Sequence, residues 1–532
     1  MPGGAGGIQS SGSRSGLRSP SVRLREARGL RALSGLAVAA LLGVHFSSFD
    51  AGTRPLITDV RYYVYYAWRV VEGDILHRDL FAVKTQLAVF LGAAWHATGE
   101  VLSVDPLLAI RVGSLGLAAV GGALLFALQR RIGRGRSAAG WLGLAAYLSF
   151  GLLGELPAIG NVPKLAMAVA APGVALLVHA RRFVAAGALA AVAFFDWQIG
   201  ALAGVAVLAS ALAFGRPRRA ALARVTLGGV LGTAPFLVYY AANGALVPAF
   251  EQVVRGAFLR GSLSLEGTSG PGPLERIANT VPLVCPGQEL LFLAGLAGVA
   301  LVIGRLLRRA DADLHPLLLP MAIQCGGVLC FTAVDNQGYG DFFLLLHAVA
   351  FFLGVTWIEV ADLAEAQLGP RVARRFGVGS DRATALVWGG CVLLALIAAR
   401  PGPLRPDIVL RAPGARPNAT LADQREVSAR LSRLAGDGAI LAYENAELLY
   451  LMRRESPVDA VYFNDTVWRH WAHDGEEPAD TALRVTREVR PAAFLYPRWL
   501  SPTGSLADGY QKLALVSESG RYRVVAHLLN SP

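Results

Sequence analysis

Thr58–Gln86 reads TDVRYYVYYAWRVVEGDILHRDLFAVKTQ, and this stretch decides the fold. It follows the first long apolar segment and holds four tyrosines, a tryptophan, three carboxylates after Asp59 and four basic residues. Each charge would cost about 3 kcal/mol at the centre of a bilayer, so the stretch cannot span one. Its aromatic density fits the membrane–water interface, where amphipathic rings settle at headgroup depth. At helical spacing Asp59, Tyr62, Tyr63, Tyr66 and Val70 share one stripe, which sets a carboxylate beside aromatic rings.

Outward from this stretch the chain is mostly apolar. Of its 532 residues 54% are hydrophobic and 17% charged, against roughly 25% charged in soluble domains. With a mean hydropathy of +0.45 and repeated apolar runs of near-spanning length, it reads as a polytopic membrane protein. The net charge of +12 does not point to nucleic acid, because the arginines sit in short clusters between apolar runs. Cys285, Cys325, Cys330 and Cys391 lie in or beside those runs and read as small buried hydrophobes, with neither zinc spacing nor a disulfide framework.

Leu87–Thr98 sets the topology. Counted as a span, it puts the Arg130, Arg131, Arg134 and Arg136 cluster outside. Counted as a second interfacial helix, it keeps that cluster inside, together with Arg181/Arg182, Arg216–Arg224, Arg305–Arg309 and Arg371–Arg375. The opposite turns, Glu155–Val162, Asp196–Gln198 and Asp335–Asp341, carry no lysine or arginine. The positive-inside rule therefore selects the interfacial reading. It predicts eleven spans near 33–49, 106–128, 138–154, 164–180, 183–195, 198–214, 225–241, 286–304, 316–334, 342–359 and 384–400. Residues 1–30, rich in Gly, Ser and Arg, read as a disordered basic cytoplasmic arm. From about residue 401 helix and strand patterns alternate, so 401–532 reads as a small external α/β domain after a membrane domain over 31–400. Helices are expected over Glu426–Leu434, Ala446–Met452 and Thr481–Val489. Strands are expected over Ala439–Tyr443, Ala460–Phe463, Ala492–Tyr496 and Tyr522–Leu528.

Polar residues collect on the external side. Asp59 is either a first-turn acid offsetting a helix dipole or a chemical group, and its position allows both. Lys84, with Arg78 and Asp79 just before it, could meet a lipid phosphate at headgroup depth or simply snorkel. Glu155, Asp196 and Asp341 occupy the three external turns, where an acid is a functional candidate. No G-x-G-x-x-G, Walker, nucleophile-elbow or H-E-x-x-H motif is present.

The run from Asp59 to Lys84 resembles the first-loop signature of GT-C class integral-membrane glycosyltransferases, which include protein mannosyltransferases and aminoarabinose transferases. Ala185–Ala201 and Gly338–Gly354 are similar to later turns of that class. Lys84-Thr85-Gln86 lacks the proline common after the class's lysine, His77 replaces a common tyrosine, and the Asp196 turn has no lysine. The resemblance implies a mainly α membrane bundle that uses a polyprenyl-phosphate sugar donor and a glycan, lipid or protein acceptor. It implies Asp59 as catalytic base and Lys84 as phosphate holder. Arg78, Asp79, Tyr62, Tyr63, Glu155, Asp196 and Asp341 would serve as substrate-binding residues. Some members of the class use a divalent ion, Mg or Mn, for which Asp59, Asp79 and Glu155 could supply oxygen ligands. The expected setting is the bacterial inner membrane, N-terminus cytoplasmic and C-terminal domain periplasmic. The rival reading is a transporter or flippase without chemistry, which would more often show paired repeats.

Overall fold

The structure, a computed structural model, describes residues 20–57, 59–82, 86–161, 165–255, 272–334, 342–400, 418–443, 445–461, 467–468, 471–473, 476–495 and 510–529. Its first helices are α1 (Pro20–Ser47), α2 (Val60–Val71), α3 (Leu87–Val101), α4 (Pro106–Ile132), α5 (Ser137–Leu148) and α6 (Leu152–Ile159). Then come α7 (Leu165–His179), α8 (Phe183–Asp196), α9 (Ala201–Phe214), α10 (Arg218–Ala242) and the short α11 (Leu246–Phe250). After it lie α12 (Pro273–Val284), α13 (Glu289–Leu307), α14 (His315–Val334), α15 (Phe342–Phe376) and α16 (Ser380–Ala398). The C-terminal part holds α17 (Leu421–Ala435), β1 (Ile440–Ala442), α18 (Ala446–Met452), α19 (Pro478–Val489), β2 (Ala493–Leu495), β3 (Tyr510–Val516) and β4 (Arg523–Leu529).

Among the described residues six helices are long and apolar enough to cross a membrane: α4, α10, α13, α14, α15 and α16. One further pair, α5 and α6, qualifies jointly and bends by 65° at its break. Shorter apolar helices at Ser34–Ser47, Ala168–His179, Phe183–Asp196 and Gln198–Phe214 fill the remaining places. Together they fall on the eleven segments expected from hydropathy, and the chain is an integral membrane protein. The first helix begins at Pro20, so residues 20–30 of the stretch expected to be a disordered arm are helical.

α15 forms the centre of the bundle. Phe342–Leu346 and Ala348–Val355 are buried without interruption, packed by α13, α5, α16 and α14. The neighbouring α8 and α10 meet backbone to backbone. A Cβ added at Gly187 or Gly228 would collide with the carbonyls of Val225 or Val184, so these small residues bring the two axes together.

The C-terminal part is the expected α/β unit. Its sheet runs β1-β2-β4-β3, with β1 parallel to β2 and the other pairs antiparallel. α17 opens with a capping box in which Thr420 and Asp423 bond each other's backbone. Three of the expected strands appear. The fourth, Ala460–Phe463, does not: Ala460 and Val461 are outside any strand, and 462–463 lie outside the described residues. β3 was not expected, since it is an edge strand whose exposed Gln511 and Lys512 weaken the alternation.

Candidate functional site

The approach to Asp59 is an irregular segment, Arg54–Ile57, whose backbone polar groups must find partners outside regular structure. Arg111 of α4, fully buried, supplies several: Nη1 donates to the Ala51 carbonyl at 2.7 Å and Nη2 to the Arg54 carbonyl at 2.6 Å. Arg54 in turn bonds Glu155 of α6 at 2.9 Å. α6 ends at Gly160 in a left-handed conformation (φ 93°), with Arg111, Ile110 and Val60 against it. Glu155 is thus brought to the Asp59 loop as the ion-pair partner of Arg54.

Asp59 occupies the N-cap position of α2, yet its carboxylate makes no capping bond. It accepts a hydrogen bond from the Tyr62 hydroxyl, one turn on. The helix-start reading therefore accounts for its place but not for its side chain. The Tyr62 and Tyr63 rings lie 5.7 Å apart, and Val60–Trp68 is buried throughout. The aromatic rings pack against protein, between α3 and the C-terminal domain. The Tyr65 oxygen accepts from the Ser456 amide at 2.8 Å, and burial pushes its phenol up to about 12. Arg61 lies 3.8 Å from Glu447, whose carboxyl is raised by burial and also accepts from Tyr522 (2.8 Å) and Asn445 (3.0 Å).

A second wall is built from Ile75–Ala82. Tyr66 ties the two walls together by donating to the Phe81 carbonyl at 2.7 Å. Arg78 grips Asp79 with two bonds of 2.8 Å, which hold the Asp79 carboxyl below its usual range. Asp79 also accepts from the Ile75 amide at 2.9 Å. His77, at φ 69°, is buried against Tyr240 and fastened by Gln252. Gln252 donates to the His77 carbonyl at 3.0 Å, so its Oε1 faces His77 Nδ1 (2.9 Å) and the Ala82 amide (3.0 Å) as an acceptor. The His77 proton must then sit on Nδ1. Burial lowers this imidazole to about 4.

Lys84 and Asp341 lie outside the described residues. Asp196 closes α8, fully buried, and among the described residues neither carboxylate oxygen has a hydrogen-bond partner. It makes no bond to the Asp59 loop. The oxygen donors expected for a divalent ion are engaged separately: Asp59 by Tyr62, Asp79 by Arg78 and Glu155 by Arg54. Among the described residues no three His, Cys, Asp or Glu converge on one point. Residues the sequence did not single out complete the site: Arg111, Gln252 and Gln424. Only Arg111 had a visible signal, a lone charge inside an apolar span.

No family profile and no curated protein matches the chain. Solved structures do. ArnT from Cupriavidus metallidurans in the apo state is 16% identical with a TM-score of 0.55, over 94% of this chain and 98% of that one. The same protein bound to undecaprenyl phosphate is 17% identical with a TM-score of 0.56, over 95% and 99%. Over nearly its whole length, the chain has the fold of ArnT.

Proposed function

We propose that the protein is a membrane glycosyltransferase. It moves a sugar from a polyprenyl-phosphate donor to a hydroxyl of a glycan, lipid or protein acceptor at the external membrane face. The observation that carries this reading is the pairing of a GT-C fold, seen in a neighbour bound to undecaprenyl phosphate, with the Asp59 carboxylate released from helix capping and aligned by a phenol. In this reading Asp59 removes the proton of the acceptor hydroxyl, a general-base role. The freed oxygen attacks the anomeric carbon from the face opposite the phosphate, the carbon–phosphate-oxygen bond breaks, and the configuration inverts. The prenyl phosphate leaves with the bonding pair, Lys84 offsets its growing charge, and Arg78 binds the phosphate alike before and during transfer. The bacterial inner membrane, with the N-terminus cytoplasmic, agrees with the arginine clusters. A flippase reading has less support, because the polar groups gather in the first external loop and no paired repeat is evident.

Membranes containing the protein, incubated with labelled prenyl-phosphate sugars, should pass label to an endogenous acceptor. The Asp59→Asn protein, folded and at equal abundance, should not. Equal transfer by wild type and variant would sink the reading.

A further inference from the structure

The C-terminal domain grips the stretch around Asp59 at several points. The Leu421 amide donates to the Thr53 carbonyl at 2.8 Å, and the Phe81 amide to the Asp459 carbonyl at 2.7 Å. Between these lies a tighter contact. Gln424, fully buried on the first turn of α17, accepts from the Leu56 amide at 2.7 Å and donates to the Leu56 carbonyl at 2.9 Å. One side-chain amide thereby satisfies both backbone groups of a residue three positions ahead of Asp59, much as a neighbouring strand would. Leu56 is itself fully buried, so neither group has water as a substitute. α17 is held in turn by its capping box and by Ser519, which donates to Asp423.

We infer that Gln424 is a positioning residue. Reaching across from the external domain, it fixes the height and direction at which Leu56–Ile57 delivers Asp59 to the reacting hydroxyl. The inference rests on the proposed transfer reaction, but its first test does not. Small displacements of a reacting group are costly: about 1 Å can cost up to a hundredfold in rate. Shape at this position can also be separated from chemistry. A protonated carboxylic acid can accept from the Leu56 amide and donate to its carbonyl, as the amide does, whereas a carboxylate can only accept.

Three full-length proteins decide the matter: wild type, Gln424→Ala and Gln424→Glu. Amide hydrogen exchange in detergent or nanodiscs should quicken at Leu56 in Gln424→Ala, while exchange in α15 stays as in wild type. With a labelled prenyl-phosphate sugar, Gln424→Ala should lose ten- to a hundredfold in kcat with donor KM within about twofold. Gln424→Glu should match that loss at pH 8 and recover several-fold relative to wild type as the pH falls to 5. The charged groups nearby, Asp423, Arg425, Arg111 and Arg54, help to set where the carboxyl introduced at position 424 titrates, and the ratio to wild type isolates that titration. Unchanged exchange at Leu56 would overturn the clamp. A loss confined to KM, or a Gln424→Glu profile parallel to wild type, would overturn the positioning role. An inactive wild type would overturn the proposed function and the catalytic half of this inference, while the exchange data would still decide the clamp.

Discussion

The two walls of the candidate site are anchored to different bodies. The Asp59 wall is fastened to the C-terminal domain through Leu421, Gln424, Glu447 and Ser456. The Ile75–Ala82 wall is fastened mainly to the bundle, where Gln252 and Tyr240 hold His77 and the Asn243 carbonyl receives Arg78. Tyr66 and the Phe81–Asp459 bond are the bridges. On the proposed reaction this divides the labour: proton removal is set by the C-terminal domain, donor retention by the bundle. Damage to each anchor should therefore show in a different kinetic constant.

The largest contrast is expected between Asp59→Asn and Asp79→Asn. The first removes the base and should cost about 10²–10⁴-fold in transfer rate. The second loosens only Arg78 and should mainly raise donor KM. Equal losses in kcat would dissolve the distinction between the walls. Next comes Glu447→Leu, which takes the acceptor from Tyr522 and Asn445 and the counter-charge from Arg61. Removing one member of a buried ion pair typically costs about 3–5 kcal/mol, so the C-terminal domain should melt earlier than in wild type. Gln252→Leu is milder. It leaves the His77 Nδ1–H and the Ala82 amide without their acceptor, a loss of about 1–3 kcal/mol, read as a higher donor KM with kcat kept.

The same wall should respond to acid. His77 is neutral when folded down to about pH 4, whereas its unfolded form takes a proton near 6.5. Between those values the unfolded chain binds more protons, so stability falls as the pH drops through that window. His77→Asn should flatten that slope in a melting series from pH 7 to 4. The smallest effect belongs to Arg78→Ala. Its side chain is nearly half exposed, so thermal stability should not move, and only donor KM should rise.

Much of this architecture was legible in the sequence because it depends on local composition. Apolar runs and arginine clusters located the bundle segments, including Phe183–Asp196 and Gln198–Phe214, which are short for a span. Helical spacing put Tyr62 within reach of Asp59, and the structure joins them. What could not be read was long-range and directed at backbone. Arg111 serves carbonyls of the Ala51–Pro55 segment, Gln424 serves Leu56, and Gln252 serves His77 and Ala82. A main-chain carbonyl carries no residue label, so such partners leave no pattern of types or spacings. The aromatic stripe told only part of its role. Tyrosine and tryptophan suit a headgroup layer and a protein interior with hydrogen-bonding tips equally well, and Tyr65 and Tyr66 bond within the protein, to Ser456 and Phe81.

The Leu56–Gln424 joint also governs how relatives could be recombined. Its halves lie some 370 positions apart in the chain, yet they interlock like a tenon in its mortise. A chimaera that exchanges only the C-terminal module would mate one cut surface with a foreign one. Exchanging residues 51–82 along with that module keeps the joint whole and moves the foreign contacts to Arg111, Glu155 and Gln252 of the bundle.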